Sequence, residues 1–176
     1  TGPIVEAARV VDNDGERHRF AVLASPPAQW SQAIDLRGDL RGRRFEDWSA
    51  WRGTLYLSVE EADLAAWKRW LDYPVALDRG RVNLRAWLNI DGPEVFALTS
   101  DVALADLSAQ LGDDLARVGI HSLSGRVRAA FRNGDISVAG ERLTMLTAEG
   151  GRVEPTSFSL RSRPARGQTP ARGELS

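Results

Sequence analysis

The strictest constraint on this chain is a hydrophobic period of two. The run Arg81–Ile90 places Val82, Leu84, Ala86, Leu88 and Ile90 on one side of an extended backbone. Arg81, Asn83, Arg85 and Asn89 fall on the other side, with Trp87 as an amphipathic exception. A helix would scatter these residues around its circumference, whereas a strand sorts them into an apolar and a polar face. The same alternation recurs in Gly53–Val59 through Leu55, Leu57 and Val59, and in Ser157–Arg161 through Phe158 and Leu160. In Gly125–Arg132 it sets Val127, Ala129 and Phe131 against Arg126, Arg128 and Arg132. Strands of this kind build antiparallel sheets with one apolar and one wet face.

Turn chemistry joins the strands. Asn13-Asp14-Gly15-Glu16 separates Ile4–Val11 from Arg17–Ala24, and Asn133-Gly134 separates Val127–Phe131 from Ile136–Val138. Asn-Gly and Asp-Gly suit the positive φ of a type I′ hairpin. Asp91-Gly92-Pro93 and Gly150-Gly151 mark two further turns, giving about nine strands in all. Helix signals are few. Asp63 can cap a short helix over Leu64–Leu71, with Leu64, Trp67 and Leu71 on one face and Tyr73-Pro74 ending it. Asp106–Val118 reads two ways: as a helix carrying Leu107 and Leu111, or as a continuation, after a bulge, of the strand that starts near Glu94. Residues 1–162 are expected to be one β domain, and residues 163–176, with no apolar period, a linker or disordered tail. The chain starts with Thr1, not Met, and is expected to be a piece of a longer one.

This strand count creates a geometric problem, because one short helix cannot cover so much apolar sheet. Three arrangements solve it: two sheets packed as a sandwich, one sheet closed as a barrel, or a curved open sheet whose apolar face lines a groove. Composition does not choose among them. The chain has 176 residues, 43% of them hydrophobic, and a net charge of −1. Near neutrality leaves no field to gather nucleic acid. The absence of cysteine excludes disulfides, thiolate nucleophiles and Cys-based metal sites. The longest uncharged stretch, Phe20–Ile34, is interrupted by Pro26-Pro27 and is too short to span a bilayer as a helix.

Residues that carry chemistry are sparse. His18 and His121 lack the spacing of metal ligands, so neither metal nor cofactor is expected. Asp12-Asn13-Asp14-Gly15-Glu16 fails the ligand spacing of a calcium loop and reads as a turn. Glu60, Glu61 and Asp63 sit where carboxylates favour a helix start. Serine-hydrolase, phosphate-loop and dinucleotide motifs are absent, so the chain is expected not to be an enzyme. A hydrolase reading would need His121 beside a carboxylate in a cleft. The Arg/Trp-rich stretch Arg37–Arg52 reads as a polar connection whose tryptophans pack on the sheet, since Asp39, Glu46 and Asp47 dilute its charge. Six tryptophans, Trp30, Trp48, Trp51, Trp67, Trp70 and Trp87, suit sites with one apolar and one wet side.

Several segments, taken in order, carry a family resemblance. They are Ile34-Asp-Leu-Arg-Gly-Asp-Leu, Trp51-Arg-Gly-Thr-Leu-Tyr-Leu and Ala62-Asp-Leu-Ala-Ala-Trp-Lys-Arg-Trp-Leu. Gly80-Arg-Val-Asn-Leu-Arg-Ala-Trp-Leu-Asn-Ile, Thr99-Ser-Asp-Val-Ala-Leu-Ala-Asp-Leu and Leu123-Ser-Gly-Arg-Val continue the series. Over Ile34–Leu160 the chain resembles the central region of the YhdP family, AsmA-like proteins of Gram-negative bacteria. The resemblance implies a mainly β fold: a curved antiparallel sheet forming an open groove or half-barrel with one or two short helices. It also implies a periplasmic segment of an inner-membrane-anchored protein that carries phospholipid or another acyl lipid towards the outer membrane. Its partners would be that lipid and the flanking segments of the same chain, not nucleic acid. The lining would then comprise Leu55 and Leu57; Val82, Leu84, Ala86, Leu88 and Ile90; Phe96, Leu98, Val102 and Leu104; Val127 and Phe131; and Ile136 and Val138. The alternative is a closed β-sandwich acting as an interaction module, with no lipid ligand.

Overall fold

Ten strands run in chain order as one antiparallel meander, β1 beside β2 and so on to β10, with no crossover. The computed structural model describes residues 6–42, 50–68, 76–93, 95–110, 117–132, 134–163 and 172–175. The strands are β1 Glu6–Asp14, β2 Arg17–Ser25, β3 Ala33–Arg41, β4 Arg52–Asp63, β5 Ala76–Asp91, β6 Val95–Gln110, β7 Arg117–Arg132, β8 Asp135–Thr147, β9 Arg152–Arg163 and β10 Arg172–Leu175. The single helix among the described residues, α1, spans Leu64–Trp67 between β4 and β5. Three central strands are 16 residues long, or roughly 53 Å at about 3.3 Å per residue.

The sheet is open and single-layered. Among the described residues each strand contacts its neighbours in the sequence, and α1 packs on the two strands that flank it, β5 and β4. A closed sandwich therefore does not form among the described residues, and the curved open sheet does. Surface area agrees: the chain, at 19.3 kDa, exposes 12467 Å². A compact protein of that mass would expose about 8,500 Å².

The hairpin at Gly15 departs from its expected form. Asp14 pairs with Arg17, so Gly15 and Glu16 alone make the loop. Gly15 has φ +56 while Glu16 keeps negative φ, the pattern of a type II′ turn rather than I′. The expected helix is present over Leu64–Trp67, and the Asp63 carboxylate accepts from Ala65 N–H and Ala66 N–H at 2.9 and 3.0 Å. Its expected continuation to Leu71, the Tyr73-Pro74 stop, Trp48 and Trp70 lie outside the described residues. Of the two readings of Asp106–Val118, the strand holds for Asp106–Gln110 and again from Arg117, with 111–116 outside the described residues. Part of the supposed Arg/Trp connection is in fact strand β3, whose Ile34, Leu36 and Leu40 alternate with charged neighbours. Within the supposed tail, Arg172–Leu175 pairs with β9 as β10.

Three residues other than glycine have positive φ: Glu61 (50°), Asp106 (51°) and Arg142 (51°). All three sit at register shifts, between Val59 and Ala62 on β4, opposite Gly80 on β5, and between Gly140 and Leu143 on β8. Unbroken period two would put each of these charged groups on the apolar face. A bulge inserts one residue, bends the strand and resets the alternation. Ala62, Leu107 and Leu143 thus return to the apolar side, while Glu61, Asp106 and Arg142 do not. The left-handed conformation costs roughly 1–2 kcal/mol per residue. That is less than burying an unpaired charge in the apolar face would cost.

Candidate apolar surface

Strand pairing turns the alternation into transverse rungs. One rung reads Val22, Leu36, Leu57, Ala86, Ser100, Val127, Gly140 and Phe158 from β2 to β9. The next reads Phe20, Gly38, Leu55, Leu88, Leu98, Ala129, Val138 and Leu160. Above it Leu40, Gly53, Ile90, Phe96, Phe131 and Ile136 align. Below lie Ile34, Val59, Leu84, Val102 and Gly125, and then Ala62, Val82, Leu104, Leu123 and Met145. All fifteen residues expected from the sequence fall on this one face. The structure adds Phe20, Val22, Ile34, Leu36, Leu40, Leu107, Leu123, Leu143, Met145, Phe158 and Leu160.

Few of these side chains are buried. Among the described hydrophobic residues only Val59, Ala62 and Ala109 are buried, at 9%, 3% and 4% exposure, and all lie towards the α1 end. Phe96, Ile136, Phe158 and Leu160 are 40–48% exposed. Large side chains lie flat across small neighbours. A Cβ on Gly38 would stand 2.3 Å from the Phe20 ring, and one on Gly140 would stand 2.5 Å from both Leu143 and Phe158. The Phe96 and Phe131 rings stack with centroids 5.5 Å apart. The result is an aliphatic and aromatic surface over whose upper rungs the described residues place no second layer.

The opposite face is a lattice of charge pairs. Arg126 donates to Asp101 at 2.6 and 2.8 Å, Arg17 to Asp39 at 2.8 Å, and Arg128 meets Glu141 at 3.0 Å. Arg37 pairs with Asp35 at 2.6 Å and lies 5.9 Å from the Tyr56 ring centre, which in turn packs on Trp87. Trp87 is therefore a polar-face residue supported by Tyr56. Hydrogen bonds from Arg17 and Arg126, reinforced by their charges, hold the Asp39 and Asp101 carboxyls below the usual carboxylate range. Folded-state pKa values below the unfolded ones stabilise the fold above the ordinary carboxylate range, and that contribution disappears as pH falls through the depressed values. Thermal unfolding should thus show a Tm decrease from pH 7 to pH 3. In an Asp39→Asn/Asp101→Asn variant that decrease should be smaller, and an equal one would remove these pairs as its source.

The candidate polar groups separate. His18 lies at the upper rim, with Nδ1 2.9 Å from Asn13 Oδ1, Nε2 2.9 Å from the Gly42 carbonyl oxygen, and its ring stacked on Trp51. His121 does lie beside a carboxylate, its Nδ1 3.2 Å from Asp106 Oδ1, in a shallow cleft of the polar side. Both partners are more than half exposed. The hydroxyl lining that cleft, Thr147 Oγ1, accepts from Gly151 N–H at 2.9 Å. What the pair accomplishes is to carry a charged bulge away from the apolar face. Glu61 of the acidic trio accepts from Asn83 Nδ2 at 2.7 Å, and Asp63 caps α1. Among the described residues no group of three or more His, Asp or Glu is arranged to hold a metal, and no helix is long and apolar enough to cross a membrane.

A family model described as YhdP protein matches residues 7–175, reaching beyond the Ile34–Leu160 region of resemblance at both ends. No curated protein and no solved structure matches the chain.

Proposed function

We propose, because this chain belongs to the YhdP family, that it is a segment of a periplasmic, inner-membrane-anchored lipid-transfer protein whose apolar sheet face carries phospholipid acyl chains towards the outer membrane. The observation that carries this reading is the set of five mainly apolar rungs, continuous across neighbouring strands, over which the described residues place no second sheet. A face of that kind needs an apolar occupant, since exposed patches beyond a few hundred Å² mark interaction sites. Acyl chains gain about 0.8 kcal/mol per CH₂ removed from water. The lining is aliphatic, aromatic or glycine except for the Ser100 hydroxyl in its central rung, so that gain varies little along most of the face. The charged face opposite keeps the assembly wetted by the surrounding solvent.

The test is site-specific photo-crosslinking to tritiated phosphatidylethanolamine in vesicles. A photoreactive residue at Leu88 or Val127 should take up label, while one at Asn89, adjacent in sequence but on the polar face, should take up none. Equal labelling at Leu88 and Asn89 would rule the reading out. Protein–protein adducts at Leu88 without lipid adducts would assign the face to a second copy of the chain instead.

A further inference from the structure

The strand ends above the top apolar rung carry three arginines abreast. Arg17, Arg41 and Arg52 are register partners on β2, β3 and β4, with Asp14 on β1 and Asp91 on β5 at the two ends of the row. Like charges directly opposite one another in a sheet repel. The outer two arginines are neutralised: Arg17 donates to Asp39 at 2.8 Å, and Arg52 meets Asp91 at 2.7 Å. Arg41, between them, is exposed and has no ion pair among the described residues. A guanidinium flanked by two others gains most from an anion with several acceptor oxygens, the chemistry of a phosphate group.

On the apolar side, the same strand ends leave room for a hydrocarbon chain. Gly53 puts no side chain between Leu40 and Ile90 in the top rung. A Cβ there would stand 2.1 Å from the Asp39 carbonyl oxygen, so close backbone packing keeps this position bare. Trp51, two residues before it, lies across Gly42, where a Cβ would stand 2.8 Å from its ring. The ring stacks on His18 with centroids 5.2 Å apart. A half-buried tryptophan suits the boundary between hydrocarbon and headgroup. Arg41 ends β3 and Arg52 begins β4, so both side chains can bend over the strand ends while their stems stay on the sheet. Neighbouring strands lie about 4.8 Å apart, close enough for the row to converge on one phosphate.

We infer that this rim holds the phosphate of the carried lipid: the phosphate sits on Arg41 between Arg17 and Arg52, and the acyl chains pass Gly53 and lie down the face over Leu55. The inference rests on the lipid-carrying reading and adds two things to it. One is a polarity, with heads at the strand ends beside Arg41. The other is a substrate class, acyl lipids that carry a phosphate in preference to those that lack one.

The test places a photoreactive residue at Leu55, three residues from Arg52 and on the apolar face, and separately at Leu98. Vesicles of digalactosyldiacylglycerol, a bilayer without phosphate, carry a trace of tritiated phosphatidic acid or of diacylglycerol with the same acyl chains. Phosphatidic acid should label Leu55 about tenfold more than diacylglycerol does. Arg41→Gln should remove most of that excess. Arg41→Lys should keep part of it, since the charge remains and the fork is lost. Diacylglycerol labelling should be the same in all three proteins, and its loss in Arg41→Gln would make Arg41 a structural residue and overturn the headgroup site. An undiminished excess in Arg41→Gln would overturn the site while leaving lipid carriage intact. Binding of inorganic phosphate to the full chain, with no excess for phosphatidic acid, would assign the row to a free anion instead. Absence of label from either lipid at both Leu55 and Leu98 would overturn lipid carriage, and the headgroup site with it.

Discussion

A carboxylate at the middle of the apolar face, Leu88→Asp or Val127→Asp, should abolish lipid loading while leaving the sheet folded. The two effects separate because no second layer covers these positions among the described residues. In the empty chain the new carboxylate stays in water, flanked by Leu55 and Leu98 or by Ser100 and Gly140. Folding then loses only part of one side chain's lateral contacts, about 1 kcal/mol. Beneath an acyl chain the same charge must be dehydrated with no partner, at about 2 kcal/mol or more, which is a thirtyfold or greater loss of affinity. In a closed sandwich the order would be reversed, with the dominant penalty on folding. Thermal unfolding and photo-crosslinking on the same samples read both quantities. Normal lipid labelling in both variants would remove the face as the carrier, and unfolding of both would show that a layer covers it.

How much of this architecture is legible in the amino-acid sequence depends on the strand. From β4 to β8 the alternation is clean enough to name fifteen face residues, and all fifteen share one face, because the side-chain period of a strand is fixed by its pleat. Ile34, Leu36 and Leu40 obey the same rule but are hidden by Asp35, Arg37, Asp39 and Arg41, whose density suggests a connection. Leu107 and Leu143 escape for a different physical reason. Apolar-face residues flank each bulge at a spacing of three, Val59 to Ala62, Leu104 to Leu107 and Gly140 to Leu143, and a strict period of two reads that slip as the end of a strand. A spacing of three across a charged residue is the signal that marks it. The single layer is not legible at all from periodicity. Alternation specifies that one face is apolar and is silent about whether protein or lipid covers it, so only the family resemblance favours the open form.

The bulges give the second large prediction, because they concentrate a whole strand's sidedness in one residue. Inserting a single alanine between Asp106 and Leu107 should be among the most damaging one-residue changes available in β6. A one-residue slip turns every subsequent side chain to the opposite face. Leu107 and Ala109 would move to the charged side, Ser108 and Gln110 to the apolar side, and Leu64 would lose the neighbour it meets over Gly80. Exposing one leucine costs about 1.5–3 kcal/mol. With Ala109 and the α1 contact added, the loss reaches about 3–5 kcal/mol, a large part of the 5–15 kcal/mol that holds a typical domain together. Asp106→Gly should behave oppositely. Glycine accepts φ near 51° without the side-chain penalty, and the His121 pair it removes is more than half exposed and worth little. Urea unfolding should therefore place Asp106→Gly within about 1 kcal/mol of the parent, with the insertion far below it. Comparable midpoints for the insertion and the parent would mean that the bulge absorbs the added residue and that sidedness beyond Ala105 is set by the β7 pairing alone.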